Sequence, residues 1–304
     1  MKKIISIIFL CFAAAAIYSC SSKMDVDYSP FYEEGSSDQP HGPAGTGEDE
    51  PNTFRAMSFN VRNYASDSGT DNAWTKRKSG VAAMLNAKCP MIVGAQECYI
   101  SQMNDITKAC PQYGAYGLGR DNGTTSGETT AIFYHKDSVS VVEYGTFWLS
   151  TTPNKVSLGW DGACRRTCTW MRFKMKSNGQ EFFFFNTHLD HQGAVAKVEG
   201  MKLIMEKIGT IDFAGLPVIL TGDFNSIPGE DVFSYNTMND ARTDSPLSDN
   251  FGSSNGYGNQ NKLIDYIFYK SFKPRTFETI RDRWDGITYI SDHYPVMCTF
   301  KYGE

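Results

Sequence analysis

The chain has 304 residues, with 34 acidic against 29 basic side chains and a formal charge of −5, but the charge is unevenly spread. Residues 1–20 carry +2 and residues 21–52 carry −7, from one Lys against eight acids, so residues 53–304 are neutral. A neutral folded part excludes the sequence-wide basic excess expected of strong nonspecific nucleic-acid binding, though charge can still be concentrated locally.

Lys2 and Lys3 precede an apolar stretch, residues 4–17, which is shorter than the ~20 residues of a spanning helix. Tyr18-Ser19-Cys20 follows, so residues 1–20 read as a bacterial secretory leader. The ending resembles a lipoprotein signal, in which Cys20 is lipidated and becomes the mature N-terminus. An ordinary cleaved leader with a coincidental cysteine is the alternative. Residues 21–52 hold almost no large aliphatic side chains and are dense in Ser, Gly, Pro, Asp and Glu. Burial cannot offset the entropy of ordering such a segment, and a disordered acidic tether is expected. The protein is then exported and lipid-anchored to the bacterial cell envelope, on its periplasmic or surface face.

Residues 53–304 suit one domain with a single large core and contain no repeat or low-complexity tract. Runs rich in β-branched and aromatic residues predict strands at Phe54–Val61, Met91–Gln96, Thr129–Tyr134, Val139–Phe147, Cys168–Met175, Glu181–Thr187, Pro217–Thr221, Leu263–Tyr269 and Pro295–Lys301. Helical spacing appears at about 77–88, 99–109 and 194–211. In the last, Val195, Val198, Met201, Leu203, Ile204 and Ile208 fall mostly on one face. Phe182 to Phe185 are apolar at consecutive positions, which asks for cover on both strand faces. Two sheets with helices outside meet that requirement. Six cysteines lie in this part: Cys89, Cys98, Cys110, Cys164, Cys168 and Cys298. Their spacing prescribes no disulfide, Cys164 and Cys168 lack the companion pair of a zinc site, and buried free thiols are expected.

The apolar run 217–220 ends in Thr221-Gly222-Asp223-Phe224-Asn225, which delivers a carboxylate and an amide side by side from a buried strand. Such groups are costly to bury unpartnered and point to a metal, a phosphate or a reacting water, although Asp and Asn also favour turns. Asn60, Glu97, His188, Asp190 and Asp292-His293 also sit at or beside the ends of strand-like runs, and Asp265 lies inside one. Strands sharing a rim would let these side chains converge.

Six ordered motifs carry a family resemblance: Ser58-Phe59-Asn60-Val61-Arg62, Gln96-Glu97, Asn186-Thr187-His188-Leu189-Asp190, Gly222-Asp223-Phe224-Asn225, Ile264-Asp265-Tyr266-Ile267 and Ser291-Asp292-His293-Tyr294-Pro295. Over about 53–302 the chain resembles the endonuclease/exonuclease/phosphatase superfamily. The resemblance implies a four-layer α/β sandwich, with two central, mostly antiparallel β-sheets flanked by helices. It implies Asn60 and Glu97 as ligands of Mg²⁺ (or Mn²⁺), and hard oxygen donors suit those ions. Asp223 and Asn225 match residues that handle the attacking water and the phosphate. His188 and His293 match two histidines flanking the scissile phosphate, and Asp265 matches the acid that orients His293. Glu128 resembles the carboxylate that supports the first histidine, and Asp292 one beside the metal or nucleophile. Tyr134 is expected to hydrogen-bond the phosphate, with core packing as the alternative. Arg166 and Asp190 are expected to bind substrate, while Arg165 is expected to be solvated. His191, Trp148 and Trp160 are weaker cleft candidates. The sequence leaves open whether Asp223, Asp292 or a histidine is the base.

The resemblance implies a metal-dependent phosphoesterase that hydrolyses a phosphodiester, in a nucleic acid or a lipid- or sugar-linked ester, by in-line attack of water. The alternatives are an inositol-phosphate type of phosphomonoesterase or a catalytically silent surface lipoprotein. The expected partners are a phosphate-ester substrate and, through Cys20, a membrane. Nucleic acid is a possible partner, and a monomer is expected.

Overall fold

A computed structural model of the protein describes residues 52–212 and 215–302. The leader 1–20 and all but the last residue of the tether 21–52 lie outside the described residues. The strands are β1 (Thr53–Asn60), β2 (Ile92–Cys98), β3 (Tyr113–Tyr116), β4 (Thr129–His135), β5 (Val139–Trp148), β6 (Thr167–Met175), β7 (Glu181–His188), β8 (Val218–Asp223), β9 (Asn239–Asp240), β10 (Leu247–Ser248), β11 (Asp265–Lys270), β12 (Lys273–Thr279) and β13 (Val296–Lys301). The helices are α1 (Trp74–Lys88), α2 (Ile100–Ala109), α3 (Ala194–Ile211) and the short α4 (Ala241–Asp244).

The strands form two mixed sheets. Seven are ordered β10-β12-β13-β1-β2-β4-β3 and six β5-β6-β7-β8-β11-β9. Most neighbouring strands are antiparallel, but β1–β2, β7–β8 and the short β10–β12 pair are parallel, so the ends of β1 and β2, and of β7 and β8, reach the same edge. The Phe182–Phe185 run shows how the layers are built. Phe182 and Phe184 pack between the sheets with Phe54, Ile132, Phe173, Ile267 and Phe300. Phe183 and Phe185 face the other way, toward Met201, Ile204 and Ile208 of α3. On the far side, Met57, Phe59 and Val93 of the first sheet are covered by Val81, Met84, Met103 and Ile106 of α1 and α2. Burying each phenylalanine contributes about 2–3 kcal/mol, and consecutive apolar residues are what a strand covered on both faces requires.

The sheets are also joined by polar groups. Asn186 on β7 accepts from Gln96 Nε2 at 2.7 Å and Thr221 Oγ1 at 3.1 Å, and its own Nδ2 donates to the carbonyls of Ala95 and Ala131, both at 2.9 Å. Gly94 makes room for this knot, because a Cβ there would lie 2.0 Å from Thr221 Oγ1. Toward the site, Thr130 on β4 reaches Thr167 and Thr169 on β6 at 3.1 and 2.9 Å.

All nine expected strands and three expected helices are present. The strands β3 and β12, unforeseen from sequence, extend the first sheet on both sides. Of the six apolar residues read mostly on one face of α3, Met201, Ile204 and Ile208 are buried, while Val195 lies on the solvent side with 51% of its surface exposed.

Candidate active site

The strand ends that the registers align bring the polar motifs together. Asn60 ends β1 opposite Gln96, which places Glu97 beside it. His188 ends β7 opposite Asp223 at the end of β8, and Asp265 faces the same Asp223 from β11. Asp265 is the first residue of its strand rather than an interior one. Asp292 and His293 immediately precede β13.

Asp223 is the hub. Its Oδ2 accepts from Asn60 Nδ2 at 3.0 Å and lies 3.5 Å from His188 Nε2 and 3.8 Å from His293 Nε2. The other ring nitrogen of His293, Nδ1, is 2.8 Å from Asp265 Oδ2. Three of these contacts, Asn60–Asp223, His293–Asp223 and His293–Asp265, span the two sheets. Above them lies a cleft of about 420 Å³, whose lining includes Arg62, Glu97, Arg120, Lys262 and Asp292.

Burial and environment push the two histidines apart. Burial opposes charge on His293, but Asp265, Asp223 and Asp292 outweigh it and hold the imidazolium up to about 10. His188 is driven well below the usual histidine range by burial and by Arg166 and Arg120. At neutral pH the site therefore holds one charged and one neutral imidazole. Burial, together with the charge of Asp265, raises Asp223 to about 7. Burial opposes charge on the half-buried Glu97, but Arg62 and the amides of Asn60 and Asn63 hold it below the usual carboxylate range.

Three residues at the rim have left-handed backbone: Arg62 (φ 57°), Glu97 (φ 56°) and Asn225 (φ 47°). Such strain in non-glycine residues costs about 1–3 kcal/mol each and persists where the surroundings over-determine it. Glu97 falls in a register shift between Ala95 and Cys98, where β2 departs from its ladder with β4. A bulge re-aims a side chain in this way.

Not every expected residue faces the cleft as anticipated. Tyr134 does not: it lies at the opposite end of β4, paired with Ile92, and packs on Phe173 in the core. Glu128 lines the cleft, but its carboxylate is 2.6 Å from Arg120 Nη1 and makes no hydrogen bond to His188, whose Nδ1 is unpartnered. Asp190 is 1% exposed and serves the loops: Oδ1 accepts from the amides of Gln192 and Gly193 at 2.9 and 2.8 Å, and Oδ2 from Cys164 at 3.2 Å. Oδ2 is also 3.5 Å from Arg166 Nε, so Asp190 positions that arginine instead of meeting substrate. Arg166 lines the cleft, with Nη2 3.1 Å from His191 Nδ1. Asn225 uses its amide hydrogens on the Leu189 carbonyl and His188 Nε2, at 3.1 and 3.0 Å, and so orients His188. Arg165 lies 3.5 Å from Asp121 near the surface, and Trp148 is a packing residue that donates to the Arg120 carbonyl at 2.8 Å.

Sequence reasoning missed several contributors. Asn63, next to the first motif, donates through N and Nδ2 to Glu97 Oε2 at 3.1 and 2.8 Å. Arg62, inside that motif, reaches Asp292 at 3.3 Å and Glu97 at 3.9 Å. Arg77 on α1 is 1% exposed and donates to the carbonyls of Asn72, Val61, Ile290 and Arg62 at 2.6, 2.9, 2.6 and 3.2 Å. It thereby ties together the loops that carry Arg62 and Ser291–His293.

The donor set fits a hard divalent cation. Glu97, Asp292 and the Asn60 amide supply oxygen atoms, and the Arg62 guanidinium near both carboxylates shows that positive charge is favoured there. Asp223, Asp265 and His293 form a second group whose potential ligand atoms lie within 4.8 Å of one another. The short His293–Asp265 bond makes that group an acid–histidine pair first.

Residues 57–293 match the model of the Endonuclease/Exonuclease/phosphatase family. A mannosyl-6-phosphatase of Bacteroides thetaiotaomicron is 36% identical, over 82% of this chain and 100% of that one, with a TM-score of 0.75. An endonuclease/exonuclease/phosphatase from Bacteroides vulgatus is 31% identical, over 83% of this chain and 99% of that one, with a TM-score of 0.78. Nocturnin of Xenopus laevis is 24% identical over 84% of this chain and 74% of its own length.

Proposed function

From the premise that the chain belongs to the endonuclease/exonuclease/phosphatase family, and is thus a metal-dependent hydrolase of phosphoric esters, we propose that its substrate is a phosphate monoester on a small polar molecule of the sugar-phosphate kind. The observation that carries the reading is the convergence of Asn60, Glu97, His188, Asp223, Asp265, Asp292 and His293 on one polar cleft. Three guanidinium groups and Lys262 border that cleft, and this charge suits a dianionic terminal phosphate. The 36% identity to a mannosyl-6-phosphatase supports the same class. The phosphodiester expected from sequence is the competing reading.

Glu97, with Asn60 and Asp292, would hold the divalent cation, which when bound neutralises charge on the phosphate oxygens; Mg²⁺ is the proposed ion. Asp223, between the imidazoles, orients the attacking water. Water bonds to phosphorus as Asp223 takes one of its protons, the bond to the ester oxygen breaks, and that oxygen leaves with a proton from the Asp223–His293 pair, which ends with the proton count it began with. His293, held charged and oriented by Asp265, stabilises the negative charge that develops. His188 is kept neutral and fixed by Asn225 on the other side of Asp223. Lipidation at Cys20 would tether the exported domain to the cell envelope.

Residues 53–304, supplied with Mg²⁺ or Mn²⁺, should release phosphate from sugar monoesters faster than they cleave an aryl phosphodiester, DNA or RNA. His188→Ala and Asp223→Ala should each reduce the rate about 10²- to 10⁴-fold, and chelation should abolish it until metal is restored. Faster cleavage of a diester would reassign the substrate. Equal rates for wild type and both variants would leave only the silent-binder reading.

A further inference from the structure

Between β10 and Asp265 runs a segment outside the six motifs, residues 252–263, that is fastened to two parts of the site at once. Ser253 Oγ accepts from the amides of Ile264 and Asp265 at 3.2 and 3.0 Å. The amides of Asn255 and Gly256 donate to the Asp292 carbonyl at 2.8 and 2.9 Å, and that of Tyr294 to the Ser253 carbonyl at 2.7 Å. Ser254 is paired antiparallel with both Lys262 and His293. Side chains opposite one another in such pairs share a face, so Lys262 stands on the face that carries His293. Two strand spacings, about 10 Å, separate their backbones. A turn of three left-handed residues, Gly256 (φ 51°), Tyr257 (φ 55°) and Gly258 (φ 95°), lies between Ser254 and Gln260. A Cβ on Gly256 would come within 2.8 Å of Gln260 Cγ, so glycine lets that side chain lie across the turn.

Ser254, Gln260 and Lys262 all line the cleft. Ser254 is buried, and its Oγ donates to Gln260 Oε1 at 3.3 Å, which fixes the amide and leaves Nε2 with hydrogens to give. The three guanidinium groups of the cleft are each paired with a carboxylate: Arg62 with Asp292 at 3.3 Å, Arg120 with Glu128 at 2.6 Å and Arg166 with Asp190 at 3.5 Å. Lys262 has no such partner among the described residues. Charge decides what these free donors meet. Four carboxylates and four cationic side chains line the cleft, and His293 is offset by Asp265. A dianionic phosphate would cancel a divalent cation, so the occupied cleft is close to neutral. Little positive charge remains to draw a second anion, whereas Gln260 and Lys262 still have N–H groups to give. Neutral oxygen atoms, such as sugar hydroxyls, suit them.

We propose that Gln260 and Lys262 form the subsite that recognises the leaving group, donating to hydroxyl oxygens of the sugar whose phosphate lies at His293. A hexose ring with its hydroxyls bridges the separation between His293 and Lys262. Neither side chain takes part in breaking the ester bond; together they select which ester is held. Because the segment that carries them is pinned to Asp265 and Asp292, the subsite keeps a fixed place relative to the reacting phosphate. The proposal rests on the sugar-phosphate reading and adds the residues that recognise the sugar.

The test is steady-state kinetics of the full chain with Mg²⁺ on mannose 6-phosphate and on p-nitrophenyl phosphate, whose leaving group has no sugar hydroxyl. The ratio of kcat/KM for the sugar ester to that for the aryl ester should fall about tenfold in Gln260→Leu and in Lys262→Met, the loss of roughly one hydrogen bond. The fall should come from a higher KM for the sugar ester, with its kcat changed less than about twofold. Lys262→Arg, which keeps donors at that place, should retain most of the ratio. Both side chains are exposed, so the fold should tolerate these changes, and a ratio does not depend on the fraction of active protein. A ratio within about twofold of wild type in either Gln260→Leu or Lys262→Met would overturn the proposal. So would a wild-type preference of more than about tenfold for hexose 1,6-bisphosphate over the 6-phosphate that Lys262→Met removes, which would assign Lys262 to a second anion. A wild type that hydrolyses no sugar monoester would refute the substrate reading, and the subsite with it, before any variant is made.

Discussion

At the scale of single residues, polar side chains in apolar surroundings were the legible part of the site. Asn60, His188, Asp223 and Asp265 interrupt or end apolar strands, where an unpartnered polar group would be costly, and all four meet around one hydrogen-bonded centre. Partners supplied from elsewhere in the chain were not legible. Arg120 and Arg77 sit in a loop and a helix where a solvated arginine is the ordinary expectation, and Tyr134 follows its alternative reading, core packing, because it stands at the end of β4 away from the cleft. Asp265→Asn should keep the fold but remove the charge that holds His293, lowering kcat about 10²- to 10⁴-fold with KM less affected, as steady-state kinetics would report. Asp190 belongs to stability instead. Burial opposes its charge, but the backbone amides of Gly193, Gln192, Ala163 and Cys164 outweigh it and hold its pKa below the ordinary value. Its contribution is therefore present above the unfolded carboxylate value, about 4, and drains away as the pH falls below it. Thermal melts of Asp190→Asn should lose stability relative to wild type at pH 7, with the difference narrowing toward pH 3.

Among the elements, strands covered on both faces announced themselves through consecutive apolar residues, and α3 through its spacing. The weaker sheet margins did not. The four-residue β3 contains Gly114, and β12 reads Lys-Pro-Arg-Thr-Phe-Glu-Thr, with Pro274 beside the register shift in its pairing with β13. Proline and charge are tolerated at a bulge near a sheet margin, which removes the periodic signal. Helix α1 likewise carries more than its cover of the first sheet, because Arg77 fastens two active-site loops. Arg77→Met should strand four carbonyl acceptors and cost about 3 kcal/mol. For a domain of this size the corresponding fall in Tm is about 10 °C, measurable by calorimetry. A melting temperature within a degree of wild type would mean that the loops are held by other contacts.

For the whole molecule, the layered α/β architecture was readable from burial needs together with the motif order, whereas the substrate depends on loops that no motif describes. The cysteines offer a check on the packing. All six in the described residues are free, with Cys98, Cys110, Cys168 and Cys298 buried and Cys89 and Cys164 half-buried. Burial raises the thiols of Cys98, Cys168 and Cys298 far out of the reactive range and that of Cys110 to about 11. A thiol reagent should therefore label at most two cysteines in native 53–304 and six after denaturation; fewer than six after denaturation, without reductant, would reveal a disulfide. The proposed anchor has its own test, since palmitate labelling of the full chain should vanish in Cys20→Ala.

Because Asn60, Glu97 and His293 extend from one sheet while His188, Asp223 and Asp265 extend from the other, turnover is a gauge of how the two halves of the sandwich are aligned. A slide of half an ångström, too small to alter a melting curve or a far-ultraviolet spectrum, would part Asn60 from Asp223 and Asp265 from His293 together. Asn186 and Gln96 form the pin that sets this alignment from beneath the cleft, so the protein can lose its chemistry through residues that never meet a substrate.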